Sequence, residues 1–70
     1  MKAVLTNTTK QHAEIHYYRL TKGDQRLDTF RVPMGQSIEV DIPSHKDNDQ
    51  TDHVQMQCKV LGISFKEGTA

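Results

Sequence analysis

Nine basic and nine acidic side chains in 70 residues leave no net charge, which argues against a general electrostatic grip on nucleic acid or anionic lipid. Apolar residues are 34% of the chain and Trp is missing; a single domain of this size buries only about 60% of the surface its unfolded chain exposes, so self-association is an expected way to complete the core. The lone cysteine, Cys58, excludes an internal disulfide and a cysteine-rich zinc cage, and the apolar runs are too short for a signal peptide or a membrane span, so a cytoplasmic address is expected.

In chain order, residues 2–6 read as a short strand, with Ala3 and Leu5 opposed to Val4, followed by the turn formers Asn7, Thr8 and Thr9. Residues 11–20 read as a second strand, with Ala13, Ile15 and Tyr17 on one face and His12, Glu14, His16 and Tyr18 on the other. Helical spacing would group Ile15 with Tyr18 but leave out Ala13 and Tyr17, so the strand is preferred. A glycine-bearing loop at 21–25 then turns the chain antiparallel onto residues 26–32. There Asp28, Phe30 and Val32 share one face and Leu27, Thr29 and Arg31 the other, a mixed pattern that suits an edge strand or a bulge that shifts parity partway along. Pro33-Met34-Gly35 is a turn signal, and Ile38, Val40 and Ile42 alternate with Ser37, Glu39 and Asp41, giving a half-buried strand over 36–42 that ends at Pro43.

Residues 44–52 hold no apolar side chain, which predicts an exposed, mobile polar loop at 44–53. Beyond it, the alternation of Val54, Met56, Cys58 and Val60 predicts a long last strand over 53–66. Parity switches at Leu61, Ile63 and Phe65, which places a bulge or corner at Gly62. Residues 67–70 are expected as a loose tail. The sum is one all-β domain over 1–70, a small antiparallel meander of about five strands forming a sandwich or partly open barrel. The first strand or the 26–32 strand would then offer an open edge to a partner.

Two groups of side chains have metal-ligand chemistry. Asp47, Asp49 and Asp52, with Asn48 and Thr51, offer oxygens of the kind Ca²⁺ prefers, but an EF-hand register starting at Asp47 puts Asp52 where glycine is needed and Cys58 where a bidentate glutamate is needed. His12, Glu14 and His16 would stand along one strand face at about 7 Å steps, a donor set that transition metals accept, although the wet face of any outer strand has the same pattern. Cys58 falls among apolar positions, where a thiol is buried, whereas a reactive thiolate needs open polar surroundings. A chain this short has little material to wall a pocket, so no catalysis, cofactor or small-molecule substrate is expected.

What remains is the hairpin carrying Tyr18, Arg19, Lys22, Arg26 and Arg31, where Asp24 and Asp28 only partly offset the positive charge. Its leading reading is a non-enzymatic protein-interaction or assembly module that recruits a protein partner, or a second copy as a homodimer or higher oligomer, through an exposed strand edge. The alternative is a single-stranded nucleic-acid-binding barrel using the 18–31 hairpin, with bases stacked on Tyr18 and phosphates held by Arg19, Lys22, Arg26 and Arg31. The run Val32-Pro33-Met34-Gly35-Gln36-Ser37-Ile38-Glu39-Val40-Asp41-Ile42-Pro43 is similar to a seam common in small β-sandwich proteins, including accessory proteins of phages and mobile elements. That resemblance implies a sandwich fold and an accessory role.

Overall fold

A computed structural model describes residues 1–68. It gives β1 (Lys2–Asn7), β2 (Ala13–Thr21), β3 (Asp24–Val32), β4 (Ser37–Asp41), β5 (Ser44–His45), β6 (Asn48–Asp49), α1 (Thr51–Leu61) and β7 (Ile63–Glu67). Every strand pair is antiparallel, and the fold is a small all-β one with a single short helix. The strands do not follow one another across a sheet: one sheet has the order β4-β1-β7, while β2 and β3 form a separate hairpin. The first strand is therefore central, with β4 on one side and β7 on the other, and the open edge expected there is absent.

The period-two readings of β1, β2 and β4 correspond to burial. Ala3 and Leu5, then Ala13, Ile15 and Tyr17, then Val40 and Ile42 all face the core, joined by Val32, Val54, Cys58 and Ile63. Tyr17 stacks on Phe30 with ring centroids 4.2 Å apart, closing the core at the hairpin. The hairpin turns on two residues, Lys22 at φ 50° and Gly23 at φ 83°, so the connection is tighter than the loop expected at 21–25 and Thr21 lies opposite Asp24. Two consecutive positive φ angles are what a two-residue turn needs to follow the twist of its strands.

The long strand expected over 53–66 is the main correction. Residues 51–61 are helical, and only the last part of the segment, β7, is a strand. Val54 and Cys58, four apart, are fully buried, whereas Met56 and Val60 are 68% and 79% exposed. Four apolar residues at every second position also fit a helix, if one pair faces the core and the other faces water, and the sequence around them favours the helix. Asp52 in the first turn and Lys59 in the last complement the helix dipole. The Thr51 N–H donates to Asp49 Oδ1 at 3.0 Å. Gly62 adopts φ 75° and donates its N–H to the carbonyls of Cys58 and Lys59, so it ends a helix instead of bending a strand.

The polar segment at 44–53 is more built in than a free loop. Ser44 pairs with Asp49 and His45 with Asn48, Asn48 is buried, and the helix starts at Thr51. Of the tail expected at 67–70, Glu67 closes β7 and the Gly68 N–H donates to the Lys2 carbonyl at 2.8 Å; residues 69–70 lie outside the described residues.

Asn7, fully buried, joins the two sheets. Its amide nitrogen donates to the Gln11 carbonyl at 2.7 Å and the Val32 carbonyl at 2.9 Å, and its Oδ1 accepts from the Thr9 N–H and hydroxyl. Its backbone meets the next turn as well, donating to Gln36 and accepting from Gly35. Asn7→Ala leaves two carbonyls and an N–H without their partner, and each orphaned buried group costs about 1–3 kcal/mol. The variant is expected to lose about 3 kcal/mol in urea unfolding, a large share of the roughly 5 kcal/mol to be expected of so small a domain.

Candidate interaction surface

The two-residue turn fixes which backbone groups of the hairpin face inward. Thr21 and Asp24 exchange both bonds, and by alternation so do Arg19 with Arg26, Tyr17 with Asp28 and Ile15 with Phe30. His16 and Tyr18 therefore turn their N–H and C=O groups toward the far edge of β2, where no strand lies. Side-chain amides take its place. Gln57 of α1 accepts the His16 N–H at 3.0 Å and donates back to the His16 carbonyl at 2.6 Å. The Tyr18 N–H donates to Gln50 Oε1 at 3.3 Å, Gln50 Nε2 donates to Asn48 Oδ1 at 3.2 Å, and Asn48 Nδ2 donates to the Tyr18 carbonyl at 3.0 Å, closing a ring of amides. Each group does what a neighbouring strand would do, so the centre of this edge is covered at His16 and Tyr18; the outward groups of Glu14 and Leu20 have no such partner among the described residues.

The outer edge of β3 differs. The same alternation aims the backbone groups of Gln25, Leu27, Thr29 and Arg31 outward. Asp28 Oδ1 accepts the Thr29 N–H at 3.0 Å, while the N–H groups of Leu27 and Arg31 have no acceptor among the described residues. Leu27 is 60% exposed and lies directly opposite Tyr18, itself 41% exposed, with Leu20 on the same outer face. Tyr18 stacks on His53 of the helix at 6.5 Å, and beyond it an open groove of about 400 Å³ runs between β2 and α1, lined by Glu14, His16, Met56, Val60 and Leu61 among others.

The five hairpin residues singled out from the sequence do not share a surface. Tyr18 and Arg31 lie on the outer face, Arg31 opposite Glu14. Arg19 and Arg26 lie opposite each other on the other face, and Lys22 sits in the turn. Arg19 donates to the Tyr17 hydroxyl at 3.2 Å and sets its guanidinium over the Tyr17 ring at 5.7 Å. Next to this pair lies Asp28, whose carboxyl is held below the usual range by the Thr29 N–H and then by the Tyr17 hydroxyl, with Arg19 and Arg26 adding to the effect. The exposed ring and the paired arginines thus face opposite ways, with a carboxylate among the cations.

The candidate metal ligands are also dispersed. His12 Nδ1 accepts the Met34 N–H at 3.1 Å, and His16 Nδ1 lies 3.2 Å from the Thr29 hydroxyl. Asp49 caps Thr51, and among the described residues no three His, Cys, Asp or Glu side chains converge on an ion-sized site. Cys58 is buried in the core and burial pushes its thiol up, away from the thiolate. Compared with known proteins, the chain matches no family model, no curated protein and no solved structure.

Sequence reasoning missed Asn48, Gln50 and Gln57, because polar residues in a polar segment look alike until the fold brings three of them to one edge. The amide-rich run from 48 to 57 was the only signal. Gln57→Glu replaces the donor that faces the His16 carbonyl with a second acceptor, and is expected to cost about 1–2 kcal/mol in urea unfolding. Gln55→Glu, an exposed position one residue pair away on the same helix, serves as the comparison and should stay within about 0.5 kcal/mol of the parent.

Proposed function

We propose that this chain is a non-enzymatic interaction or assembly module that takes up a partner strand along the outer edge of β3. The observation that carries the reading is the contrast between the hairpin's two edges: at the centre of β2 amides answer His16 and Tyr18, whereas on β3 the outward N–H groups of Gln25, Leu27 and Arg31 have no acceptor among the described residues and Leu27 is exposed. Proteins that stay alone blunt such edges with proline, charge or a covering element; β3 has no proline and, among the described residues, no covering element, and the charges it carries at Arg26 and Asp28 are of opposite sign. An uncovered edge is the receptor in strand addition, where main-chain bonds supply affinity and alternate side chains supply selectivity. The outer strands of the other sheet, β4 and β7, have five residues each and offer a shorter ladder. The exposed Tyr18 and Leu20 beside Leu27 give a bound strand an apolar face to lie against.

A proline at an outward-facing position removes the N–H a partner would use and leaves the β2–β3 ladder intact. Leu27→Pro is therefore expected to keep the thermal transition and abolish association, read by sedimentation of the purified chain and by what the tagged chain retains from its native cells. Glu39→Pro, on the free edge of β4, should change neither. Association that survives Leu27→Pro, or that Glu39→Pro alone removes, would overturn the reading. Oligonucleotide affinity falling steeply with salt would point instead to the nucleic-acid alternative.

A further inference from the structure

The charge order along β3 points to the partner, and this step rests on the strand-addition reading above. We infer that the strand β3 accepts is β3 of a second copy, paired antiparallel about a two-fold axis through Leu27. The edge reads Asp24-Gln25-Arg26-Leu27-Asp28-Thr29-Phe30. Folded onto itself about Leu27, it places Arg26 opposite Asp28 of the second copy and Asp28 opposite Arg26 of the second copy. Gln25 then meets Thr29, and Leu27 meets its own equivalent. Leu27, Gln25 and Thr29 are the residues whose backbone groups face outward, so they make the hydrogen-bonded pairs of the new ladder. Arg26 and Asp28 fall at the non-hydrogen-bonded pairs, where opposed side chains come closest.

Neighbouring registers lack this match. An axis through Arg26 opposes Arg26 to Arg26 and Asp24 to Asp28, and one through Asp28 opposes two carboxylates. An axis through Thr29 leaves Asp28 facing Phe30 and Arg26 facing Val32. An axis through Gln25 pairs Asp24 with Arg26, but its ladder runs at once into the Lys22-Gly23 turn. Like charges directly opposite each other are unfavourable, so Leu27 is the one axis that gives both a long ladder and complementary charge.

The same register accounts for two features that the single chain leaves without a purpose. Arg19 and Arg26 stand opposite each other across the hairpin, a like-charge pair. In the two-fold sheet, Asp28 of the second copy flanks Arg26 on its other side, so the order across the sheet becomes Arg19, Arg26, Asp28 of the second copy, Tyr17 of the second copy. On the outer face the row reads Tyr18, Leu27, Leu27 of the second copy, Tyr18 of the second copy, which covers the 60% exposed leucine. The Asp28 carboxylate, which caps the Thr29 N–H in the single chain, gives that donor to the Gln25 carbonyl of the second copy and turns to its Arg26. The result is a four-stranded antiparallel sheet whose two outer strands are each covered at His16 and Tyr18 by Gln57, Gln50 and Asn48.

Charge reversal tests the register directly. Arg26→Asp alone, or Asp28→Arg alone, opposes like charges at both symmetry-related pairs, and each is expected to weaken self-association at least tenfold in sedimentation equilibrium. Mixing the two single variants restores opposite charge at both pairs, and the mixture should associate as the parent does. Recovery on mixing separates the proposal from mere loss of folding, since a damaged monomer is not repaired by a second damaged monomer. Single variants that associate as the parent does, a mixture that stays monomeric, or a parent chain that is monomeric at high concentration would each overturn the inference. If Leu27→Pro still removes binding of another protein in those cases, the strand-accepting reading stands and only its occupant is wrong; if it removes nothing, both fall.

Discussion

A β-strand has two rows of backbone donors and acceptors, and the centre of the outer row of β2, at His16 and Tyr18, is satisfied by side chains. Gln57 answers His16, and Gln50 with Asn48 answers Tyr18, so the helix and the short β5–β6 hairpin stand where a third strand would stand. The arrangement requires α1 to run alongside β2, which in turn buries Val54 and Cys58 against the core. It also ends the hairpin's sheet on one side.

That asymmetry gives the thin core its functional meaning. Among the described residues, eleven apolar side chains are buried, two of them alanine, with Met1, Phe30, Ile38 and Phe65 packed against them, and no three His, Cys, Asp or Glu side chains converge on an ion-sized site. The apolar material left over is on the outside, in Leu27, Tyr18 and Leu20 on the hairpin and Met56 and Val60 on the helix. On the proposed reading, these exposed apolar groups next to an open strand edge are where a partner strand would sit. Asp28 refines the picture: it shields one donor of that edge, at Thr29, and leaves those of Leu27 and Arg31 open.

Much of the fold was legible because burial has a period. Ala13, Ile15 and Tyr17 on β2, and Val40 with Ile42 on and beside β4, face the core as their alternation requires. The helix was misread for the same reason. Val54, Met56, Cys58 and Val60 satisfy a period of two, yet the fold buries only the pair four apart, and the decisive signals were Asp52, Lys59 and Gly62 at the ends. The strand order was hidden because β1 finds its partners, β4 and β7, far along the chain. Of the site, the 26–32 edge strand could be read from its mixed faces, whereas the cover at the centre of β2 could not, since Asn48, Gln50 and Gln57 gain their role only when the fold brings them to His16 and Tyr18. The hairpin arginines could be counted in the sequence, but their division between two faces follows from pairing register.

Residue-resolved amide hydrogen exchange reaches the central claim most directly. Exchange is expected to be slow at His16 and Tyr18, although no strand adjoins them, and fast at Gln25, Leu27 and Arg31 in dilute solution. Protection should then appear at Gln25 and Leu27 as the chain is concentrated, while Arg31, which falls opposite the Lys22-Gly23 turn of the second copy, stays fast. Fast exchange at His16 and Tyr18, or equal protection of all five amides in the dilute chain, would contradict it.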